Sequence, residues 1–422
     1  MSRECEKMRI AVMVAVAIVC VSIQFNAVFA TDDLTTSESQ RRTGQPCVAT
    51  TYGPFSGVFA LDTGTTLSAA FGSGRFYESR DPAWTFKELH GRFSTGSGTA
   101  TVVENIPIAV FDGEAQPSRL VLFEKPARSP GLQGIDGLLG MPEMRTVRLR
   151  INLRDQDVGK LDTSWRPGKS AVMTPLEDRA GIGVRVPINI ASTEKMPVTV
   201  DTGCRPFLLL RRATLEFQQG LGNAVPANRM FVSTAIEIRE IQTYILKSVT
   251  VCGFEFRDVQ AHESNFNAIG MSCFSHFDMV LDLPKDEMWL TPHSDDWPKR
   301  VPPDASGLVL GYLDTNVLSL LRIQPDSAAS KSELMLDDQI LLFDGKEPKD
   351  LSMFEIHQRQ TQAGTVLPLR IRRGDQETDI ALPLGYSFEY PPKWSNEKNV
   401  LDEFNEFLEK DNKPSESESA GK

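Results

Sequence analysis

Short apolar stretches separated by glycine, proline and polar residues dominate the chain from residue 46 to residue 296. Runs of this length, with apolar and polar positions alternating and turn residues at their ends, are typical of β-strands. The runs that we assign to strands are residues 56–61, 99–103, 106–111, 119–123, 183–190, 197–200, 230–241 and 244–251. The pattern therefore predicts a mainly β fold for this part of the chain.

The β pattern occurs twice, and the same two motifs mark each copy. Asp-Thr-Gly stands directly after an apolar run at residues 62–64 and again at residues 201–203. A segment with two apolar residues and a glycine follows later in each copy, at residues 138–140 and 268–270. From that glycine onward, GMPEMRTVRLRINL aligns without a gap over GMSCFSHFDMVLDL, and the apolar positions coincide. Recurrence of both motifs in the same order predicts an internal duplication.

A third unit follows the duplicated part. Residues 163–179, which mix proline, glycine and charges, are predicted to connect the two copies, and the proline-rich residues 294–303 to form a domain boundary. Beyond that boundary, the pattern predicts strands at 308–312, 317–323, 338–343, 366–372 and 379–384, with helices at 328–334 and 351–361. The predicted domains are therefore residues 46–165, 180–296 and 303–385.

Both ends of the chain differ from the rest. A basic start and an apolar run at residues 10–23 predict a signal peptide over residues 1–30 and an exported protein, periplasmic or secreted. An uncleaved membrane anchor is the alternative for this segment. Residues 31–45 are polar without periodicity and are predicted to be disordered. Residues 386–422 are predicted to form a short helix, with an apolar stripe at residues 401, 404, 407 and 408, and a disordered acidic tail.

Composition narrows the possible functions. The formal charge of −11 argues against a nucleic-acid partner. The five histidines are scattered and no HExxH or CxxC spacing occurs, so we expect neither a zinc site nor a cofactor. Removal of the signal peptide would leave Cys47, Cys204, Cys252 and Cys273. Of the three possible pairings in an oxidising compartment, we prefer one that joins Cys252 to Cys273.

The two Asp-Thr-Gly motifs carry the candidate chemistry. A strand that delivers a carboxylate into a buried glycine turn is unfavourable alone, because the desolvated charge must be compensated. Two such strands in one chain suggest that Asp62 and Asp201 meet. Carboxyls about 3 Å apart share one proton and can act on water as general base and general acid. The alternative is that each motif is an ordinary turn at the end of a strand.

On these motifs, both copies resemble lobes of retropepsin-type aspartic proteases. The resemblance implies two acid-protease β-barrel lobes in a pseudo-dimeric arrangement, which hydrolyse extended peptides or unfolded proteins. It implies catalysis by Asp62 and Asp201, a covering flap at residues 91–99, and interlocking of the two threonines of the motifs across a pseudo-two-fold axis. The residues that it implies as support for the pair are Thr63, Gly64, Thr65, Thr202 and Gly203.

The second copy departs from that family at one position. The family places a hydroxyl beside each catalytic carboxylate, which Thr65 supplies in the first copy, whereas the second copy has Cys204. Because a thiol is a weaker donor, we expect the outer oxygen of Asp201 to lack its usual partner. Arg205, the next residue, would lower the pKa of Asp201 if it pointed inward.

The third unit resembles a bacterial PDZ domain of the type attached to exported proteases. The resemblance is carried by residues 326–329, 334–340, 344–345 and 363–365. It implies capture of a peptide C-terminus by strand addition. The residues that would bind this ligand are Ser306, Gly307, Leu308 and Val309. The alternative is a PDZ-shaped spacer that packs on the lobes.

The sequence therefore predicts an exported aspartic endopeptidase with a PDZ domain for peptide recruitment. The alternative function is that of a catalytically inactive scaffold, which would act as a PDZ peptide-binding adaptor of the cell envelope. A third possibility is that each lobe pairs with its twin in another molecule.

Overall fold

A computed structural model of the chain describes residues 36–72, 76, 81–93, 96–111, 113–123, 134–179, 183–191, 193–233, 238–294, 299–312 and 317–394. Strands account for 50% and helices for 14%, so the predicted mainly β class is confirmed. The predicted signal peptide, the helix at 401–408 and the acidic tail lie outside the described residues. Within the described ranges, no helix has the length and apolar character needed to cross a bilayer.

The first barrel is built from the strands before residue 140. Its strands are β1 (Cys47–Tyr52), β2 (Phe55–Leu61), β3 (Ser68–Phe71), β4 (Thr85–Phe93), β5 (Gly96–Val110), β6 (Gln116–Phe123) and β7 (Gly137–Leu139). They pair in the order β1-β2-β7-β3-β6-β5-β4, and β1 also pairs with β5. This additional pairing closes six strands into a barrel and leaves β4 at the edge. Fully buried apolar side chains such as Tyr52 and Phe59 fill the core.

The second barrel repeats this topology. Its strands are β12 (Gly183–Ile190), β13 (Met196–Val200), β14 (Leu208–Arg211), β15 (Ala224–Ser233), β16 (Ile238–Val251), β17 (Phe254–Ser264) and β18 (Ala268–Ile269). They pair in the order β12-β13-β18-β14-β17-β16-β15, and a pairing of β12 with β16 again closes six strands. Strand β11 (Glu177–Arg179) extends the sheet beside β12. Because the strand orders agree position by position, the predicted duplication is confirmed at the level of topology.

A five-stranded bridging sheet joins the two barrels. It consists of β8 (Arg148–Asn152), β9 (Asp157–Lys160), β10 (Val172–Pro175), β19 (Phe277–Asp282) and β20 (Glu287–Pro292), in the order β10-β20-β19-β8-β9. Strands β8 and β19 pair antiparallel, with Arg150 opposite Val280. These two residues are equivalent in the repeat alignment, so the approximate two-fold axis passes through this pair. The predicted connection at 163–179 is therefore only partly irregular, since it contributes β10 and β11.

Short helices close the barrels and flank the sheets. They are α1 (Thr36–Thr43), α2 (Met141–Met144), α3 (Arg212–Gly220), α4 (Met271–Phe274) and α5 (Met353–Gln360). Three-residue 3-10 turns occur at Leu283–Lys285, Ala329–Lys331 and Pro348–Asp350. Helices α2 and α4 follow the equivalent glycines Gly140 and Gly270, in agreement with the repeat.

Helix α1 shows that the prediction of disorder for residues 31–45 is wrong from residue 36 onward. The sequence is polar, but some of its polar side chains form hydrogen bonds or ion pairs in the folded chain. The Ser39 hydroxyl donates to the carbonyl oxygen of Gly134 at 2.5 Å. The guanidinium of Arg42 is paired with Glu38 one helical turn earlier. We call residues 36–46 the N-terminal segment.

The C-terminal unit comprises residues 299–394. Its sheet contains β21 (Leu308–Tyr312), β22 (Leu318–Ile323), β23 (Gln339–Phe343), β24 (Val366–Arg373) and β25 (Gln376–Pro383), paired in this order. Helix α5 confirms the helix predicted at 351–361 and begins with a reciprocal capping box between Ser352 and Glu355. The helix predicted at 328–334 is wrong, because only the 3-10 turn at Ala329–Lys331 forms there.

The last described residues return to the second barrel. The hydroxyl of Tyr390 donates to the carbonyl oxygen of Asp258 at 3.2 Å. The indole N–H of Trp394 donates to Oδ1 of the same residue at 2.8 Å, and Arg300 pairs with its Oδ2 at 2.7 Å. Residues 386–394 thus fasten the C-terminal unit to β17.

Two further expectations are corrected. The single strand predicted at 230–241 is two strands, because β15 ends at Ser233 and β16 begins at Ile238. Cys47, Cys204, Cys252 and Cys273 are all buried thiols, so the preferred disulfide between Cys252 and Cys273 is not formed. Burial raises the pKa of Cys252 to about 11, with a hydrogen bond to Thr174 opposing the rise.

Candidate active site

The two Asp-Thr-Gly turns lie against each other between the barrels. A Cβ atom added to Gly64 would lie 2.6 Å from Cγ of Asp201, and one added to Gly203 would lie 2.8 Å from Cγ of Asp62. Any larger residue at either glycine would therefore displace the opposite carboxyl. The absence of these two side chains is what allows the carboxyls to approach the same place.

Reciprocal hydrogen bonds from the threonines hold the turns together. The hydroxyl of Thr63 donates to the carbonyl oxygen of Val200 at 2.6 Å, and the hydroxyl of Thr202 donates to that of Leu61 at 2.8 Å. The backbone N–H of each threonine donates to the hydroxyl of the other, at 3.1 and 3.2 Å. These four bonds connect the end of β2 to the end of β13 and are symmetric under the pseudo-two-fold axis.

Each carboxylate is also bound by its own turn. The N–H of Gly64 donates to Oδ1 of Asp62 at 3.0 Å, and the N–H of Gly203 donates to Oδ1 of Asp201 at 3.1 Å. The exposed fractions of Asp62 and Asp201 are 0% and 2%. Such burial disfavours the charged form of both carboxyls.

The two pKa values are raised together. Burial, followed by the negative charge of Asp201, raises the pKa of Asp62 well above its usual range. Burial raises the pKa of Asp201 to about 7, against the opposing effects of the Gly203 N–H, the hydrogen bond with Asp62 and the Cys204 N–H. The pair therefore retains a proton at a pH where isolated aspartates are ionised.

The two carboxyls are not equivalent. Oδ2 of Asp62 is buried and has no hydrogen-bond donor among the described residues. Asp62 is therefore the member suited to carry the shared proton, and Asp201 is the member suited to ionise first.

Thr65 supports the site through its backbone. Its hydroxyl donates to the carbonyl oxygen of Leu67 at 3.0 Å, which braces the loop behind the turn. The Thr65 N–H opposes the rise in the pKa of Asp62 that burial causes, and the Cys204 N–H does the same for Asp201. Equivalent backbone N–H groups thus favour the ionised form of the carboxyl in each copy. The Thr65 hydroxyl bonds to Leu67, so the expected contrast between a hydroxyl on one carboxylate and a thiol beside the other is not seen in these contacts.

Arg205 points away from the carboxyls. Its guanidinium donates to the carbonyl oxygen of Thr43 in the N-terminal segment. Burial lowers the pKa of Arg205 to about 10. The inward orientation that would have lowered the pKa of Asp201 is therefore not observed.

The loop expected to bind a peptide C-terminus is closed by the chain itself. Oδ1 of Asp304 accepts from the N–H of Ser306 at 2.7 Å and from the N–H of Gly307 at 3.3 Å. The N–H of Leu308 donates to the Ser306 hydroxyl at 3.0 Å, and its carbonyl oxygen accepts from Gln360 at 2.8 Å. Ser306, Gly307 and Leu308 are buried, and Val309 is half-buried in β21. The Asp304 carboxyl thus occupies the donors that would bind a ligand carboxylate.

The predicted flap at residues 91–99 falls on the hairpin of β4 and β5. The second barrel has a hairpin at the equivalent position, formed by β15 and β16. The turns at 94–95 and 234–237 lie outside the described residues. The sequence reading missed the second hairpin, which the repeat itself would have located opposite the first.

Two further findings concern metal binding and similarity to known proteins. Within the part of the chain that the structure describes, no three histidine, cysteine or acidic side chains lie close enough to hold a metal ion. Neither known protein families nor curated proteins give a match to the chain.

Proposed function

We propose that this chain is an exported aspartic endopeptidase with two retropepsin-like lobes. The observation that carries the proposal is the packing of each carboxyl on the glycine of the opposite turn, 2.6 and 2.8 Å from where a Cβ would stand. An ordinary pair of strand-ending turns would not bury two like charges together, because their repulsion and desolvation are costly. The substrates are extended peptides or unfolded proteins that bind between the barrels.

The pair would act by proton exchange with water. Ionised Asp201 takes a proton from a water molecule while the water oxygen forms a bond to the scissile carbonyl carbon. Protonated Asp62 gives its proton to the carbonyl oxygen, which produces a tetrahedral diol. The C–N bond then breaks as the amide nitrogen takes the proton from Asp201, while one hydroxyl of the diol returns its proton to Asp62. The new carboxylic acid and the amine then leave. One proton again remains on the pair, so the cycle balances.

For the C-terminal unit, a packing role has more support than peptide recruitment. Its proposed PDZ character agrees with a five-stranded sheet and one capped helix, but Asp304 already binds the N–H groups of Ser306 and Gly307. A peptide could bind there only after that side chain had moved. The alternative function as a peptide-binding adaptor loses support for the same reason.

Substitution of each aspartate tests the proposed activity. In assays from about pH 3 to pH 8, the wild type should cleave an unfolded protein with a kcat/KM that rises as the pH approaches 7, where Asp201 ionises. Asp62→Asn and Asp201→Asn should each lose at least about 100-fold in kcat/KM. Asn has the same shape as Asp but cannot exchange the proton. Product formation should be followed by mass spectrometry, which also shows whether internal peptide bonds are cut.

Asp162→Asn is the matched control. Asp162 also precedes a threonine, but its carboxylate accepts from the N–H of Ser164 at 2.6 Å in an exposed turn. This variant should keep wild-type activity. Equal cleavage by wild type and Asp201→Asn, or no cleavage by folded wild type at any pH in the range, would disprove the proposed function.

A further inference from the structure

The N-terminal segment lies between the second Asp-Thr-Gly turn and the C-terminal unit. On one side, the guanidinium of Arg41 donates to the carbonyl oxygens of Leu351 and Pro348 at 2.8 and 3.2 Å, and it lies over the ring of Tyr312, 5.8 Å from the centroid. On the other side, Arg205 donates to the carbonyl oxygen of Thr43. The segment is thus held from both directions.

Gln45 extends from this segment to the turn itself. Its Nε2 donates to the carbonyl oxygen of Gly203 at 2.8 Å, and its side chain is buried, with 2% exposed. The carbonyl belongs to the peptide unit that joins Gly203 to Cys204. The N–H of that same peptide unit donates to the backbone carbonyl oxygen of Asp201 at 3.2 Å. It also favours the ionised form of the Asp201 carboxyl, against the larger effect of burial on its pKa. Donation to a peptide carbonyl strengthens the N–H at the other end of the unit.

The second copy has a valine, Val184, at the position equivalent to Gln45, and its side chain cannot make the same bond to the first turn. Gly44 and Gly183 stand at the same spacing before Asp62 and Asp201. Each begins a stretch that contacts the opposite turn. Gly183 lies against the first turn, where an added Cβ would be 2.6 Å from the carbonyl oxygen of Thr63. The second turn receives a hydrogen bond from Gln45 that the equivalent Val184 cannot give to the first turn. Gln45 therefore breaks the two-fold symmetry of the pair.

We propose that Gln45 is a positioning residue, which fixes the turn at Gly203 so that Asp201 is the carboxyl that ionises and acts as the base. The inference rests on the proposed function. The C-terminal unit contributes by holding the N-terminal segment, since removal of its contacts with Arg41 would loosen the backbone that carries Gln45. Gln45 does not react and lies behind the turn, away from the substrate.

The charged groups around the second turn are few among the described residues. Asp62 faces Asp201 across the pair, and Arg205 points toward Thr43. Beyond Arg205, burial lowers the pKa of His357, with the charge of Asp304 opposing and that of Arg205 adding to the effect. A substitution at Gln45 alters none of these charges, so a shift in the pH profile would come from a change in the turn at Gly203.

Gln45→Met is the principal variant, because methionine has a similar length and no N–H. Loss of one hydrogen bond that positions the base should lower kcat about tenfold and leave KM unchanged. Because the Cys204 N–H becomes a weaker donor to ionised Asp201, the acid limb of the pH profile should move to higher pH. The alkaline limb, which corresponds to loss of the Asp62 proton, should stay in place. Gln40→Met is the matched control, since Gln40 is equally buried in the same segment but accepts from the N–H of Cys47 at 3.4 Å. Its kcat and pH profile should remain within twofold and unshifted.

A second measurement does not depend on activity. The folded pair keeps protons that the unfolded chain releases above about pH 4. The free energy of unfolding should therefore fall as the pH rises, until the pair itself ionises. In Gln45→Met this fall should extend to higher pH than in the wild type. If Gln45→Met does not fold, Gln45→Asn, which is too short to reach Gly203, replaces it.

The outcomes separate the two proposals. An inactive wild type would disprove the endopeptidase function, and the unfolding profiles would still decide whether Gln45 acts on the pair. An active wild type whose kcat and pH limbs are unchanged in Gln45→Met would overturn the positioning role alone. An equal loss in Gln40→Met and Gln45→Met, with no shift in pH, would assign both residues to folding only.

Discussion

At the scale of single residues, the carboxyl pair depends on neighbours that take no part in the chemistry. Glycine at positions 64 and 203 leaves room for the opposite carboxyl, and the threonines between supply the bonds that join the turns. The Asp-Thr-Gly motif shows these residue types directly. This is why the pairing of Asp62 with Asp201 could be predicted from the sequence.

Removal of one threonine hydroxyl should separate the turns. In Thr63→Val, the carbonyl oxygen of Val200 and the N–H of Thr202 lose their partner while they remain buried. We expect a loss of about 3 kcal/mol in the free energy of unfolding, at about 1–3 kcal/mol for each unsatisfied group. Urea titration of the purified chain measures this loss.

Thr63→Ser is the control for this change, because it keeps the hydroxyl and removes only a methyl group. It should retain most of the stability and the peptidase activity. A Thr63→Val variant as stable as Thr63→Ser would show that the bonds between the turns contribute little.

Other contacts of the site could not be read from the sequence. Gln45 and Gly203 are 158 positions apart along the chain. No sequence motif connects a single glutamine to a hydrogen-bond partner so far away. Asp304 lies only two positions before Ser306, but an aspartate before serine and glycine is also typical of an exposed turn. Burial distinguishes the two cases, and burial is a property of the folded molecule.

At the scale of elements, the alternation of apolar and polar residues predicted the strands more accurately than the sequence predicted the helices. Strand β12 has the predicted bounds of residues 183–190, because its alternation matches the half-buried face of a barrel. Helix α1 was missed because its sequence, TSESQRRT, has no apolar stripe. The pair of Glu38 and Arg42, one turn apart, was the available signal. Packing against two other units, which no local pattern encodes, stabilises this helix.

The bridging sheet contains an ion pair whose loss should weaken the junction between the barrels. Nε of Arg148 on β8 donates to Oδ2 of Asp282 on β19 at 2.8 Å, and the Asp282 side chain is almost fully buried. Arg148→Met would leave that carboxylate with Lys285 at 3.5 Å as its remaining ion pair. We expect a loss of about 3 kcal/mol in the free energy of unfolding, measured by urea titration.

Arg212→Met is the control for the bridging sheet. Arg212 pairs with Glu216 on the surface of α3, where both side chains are largely exposed, and such pairs contribute little. Its unfolding curve should overlay that of the wild type. If both arginine variants unfolded at the same urea concentration, the buried pair would not stabilise the junction.

At the scale of the whole molecule, one chain supplies both halves of the site. The strand orders of the two barrels agree, and β8 of one copy pairs with β19 of the other inside the same chain. The possibility that each barrel pairs with its twin in another molecule is therefore not needed to bring the carboxyls together.

A mixing experiment checks this arrangement. Asp62→Asn and Asp201→Asn, each inactive, should remain inactive when they are unfolded together and refolded, because every molecule lacks one carboxyl of its own pair. Wild type taken through the same treatment is the control and should recover its activity. Recovery of about a quarter of that activity in the mixture would indicate sites assembled between two chains.

The N-terminal segment has a consequence for the order in which the protein matures. Residues 36–46 are made early in synthesis, yet Arg41 needs carbonyl groups at positions 348 and 351, which are made much later. Gln45 thus reaches its final position only after nearly the whole polypeptide has been made. Under the proposed function, the carboxyl pair would therefore gain its full activity only when synthesis of the chain is nearly complete.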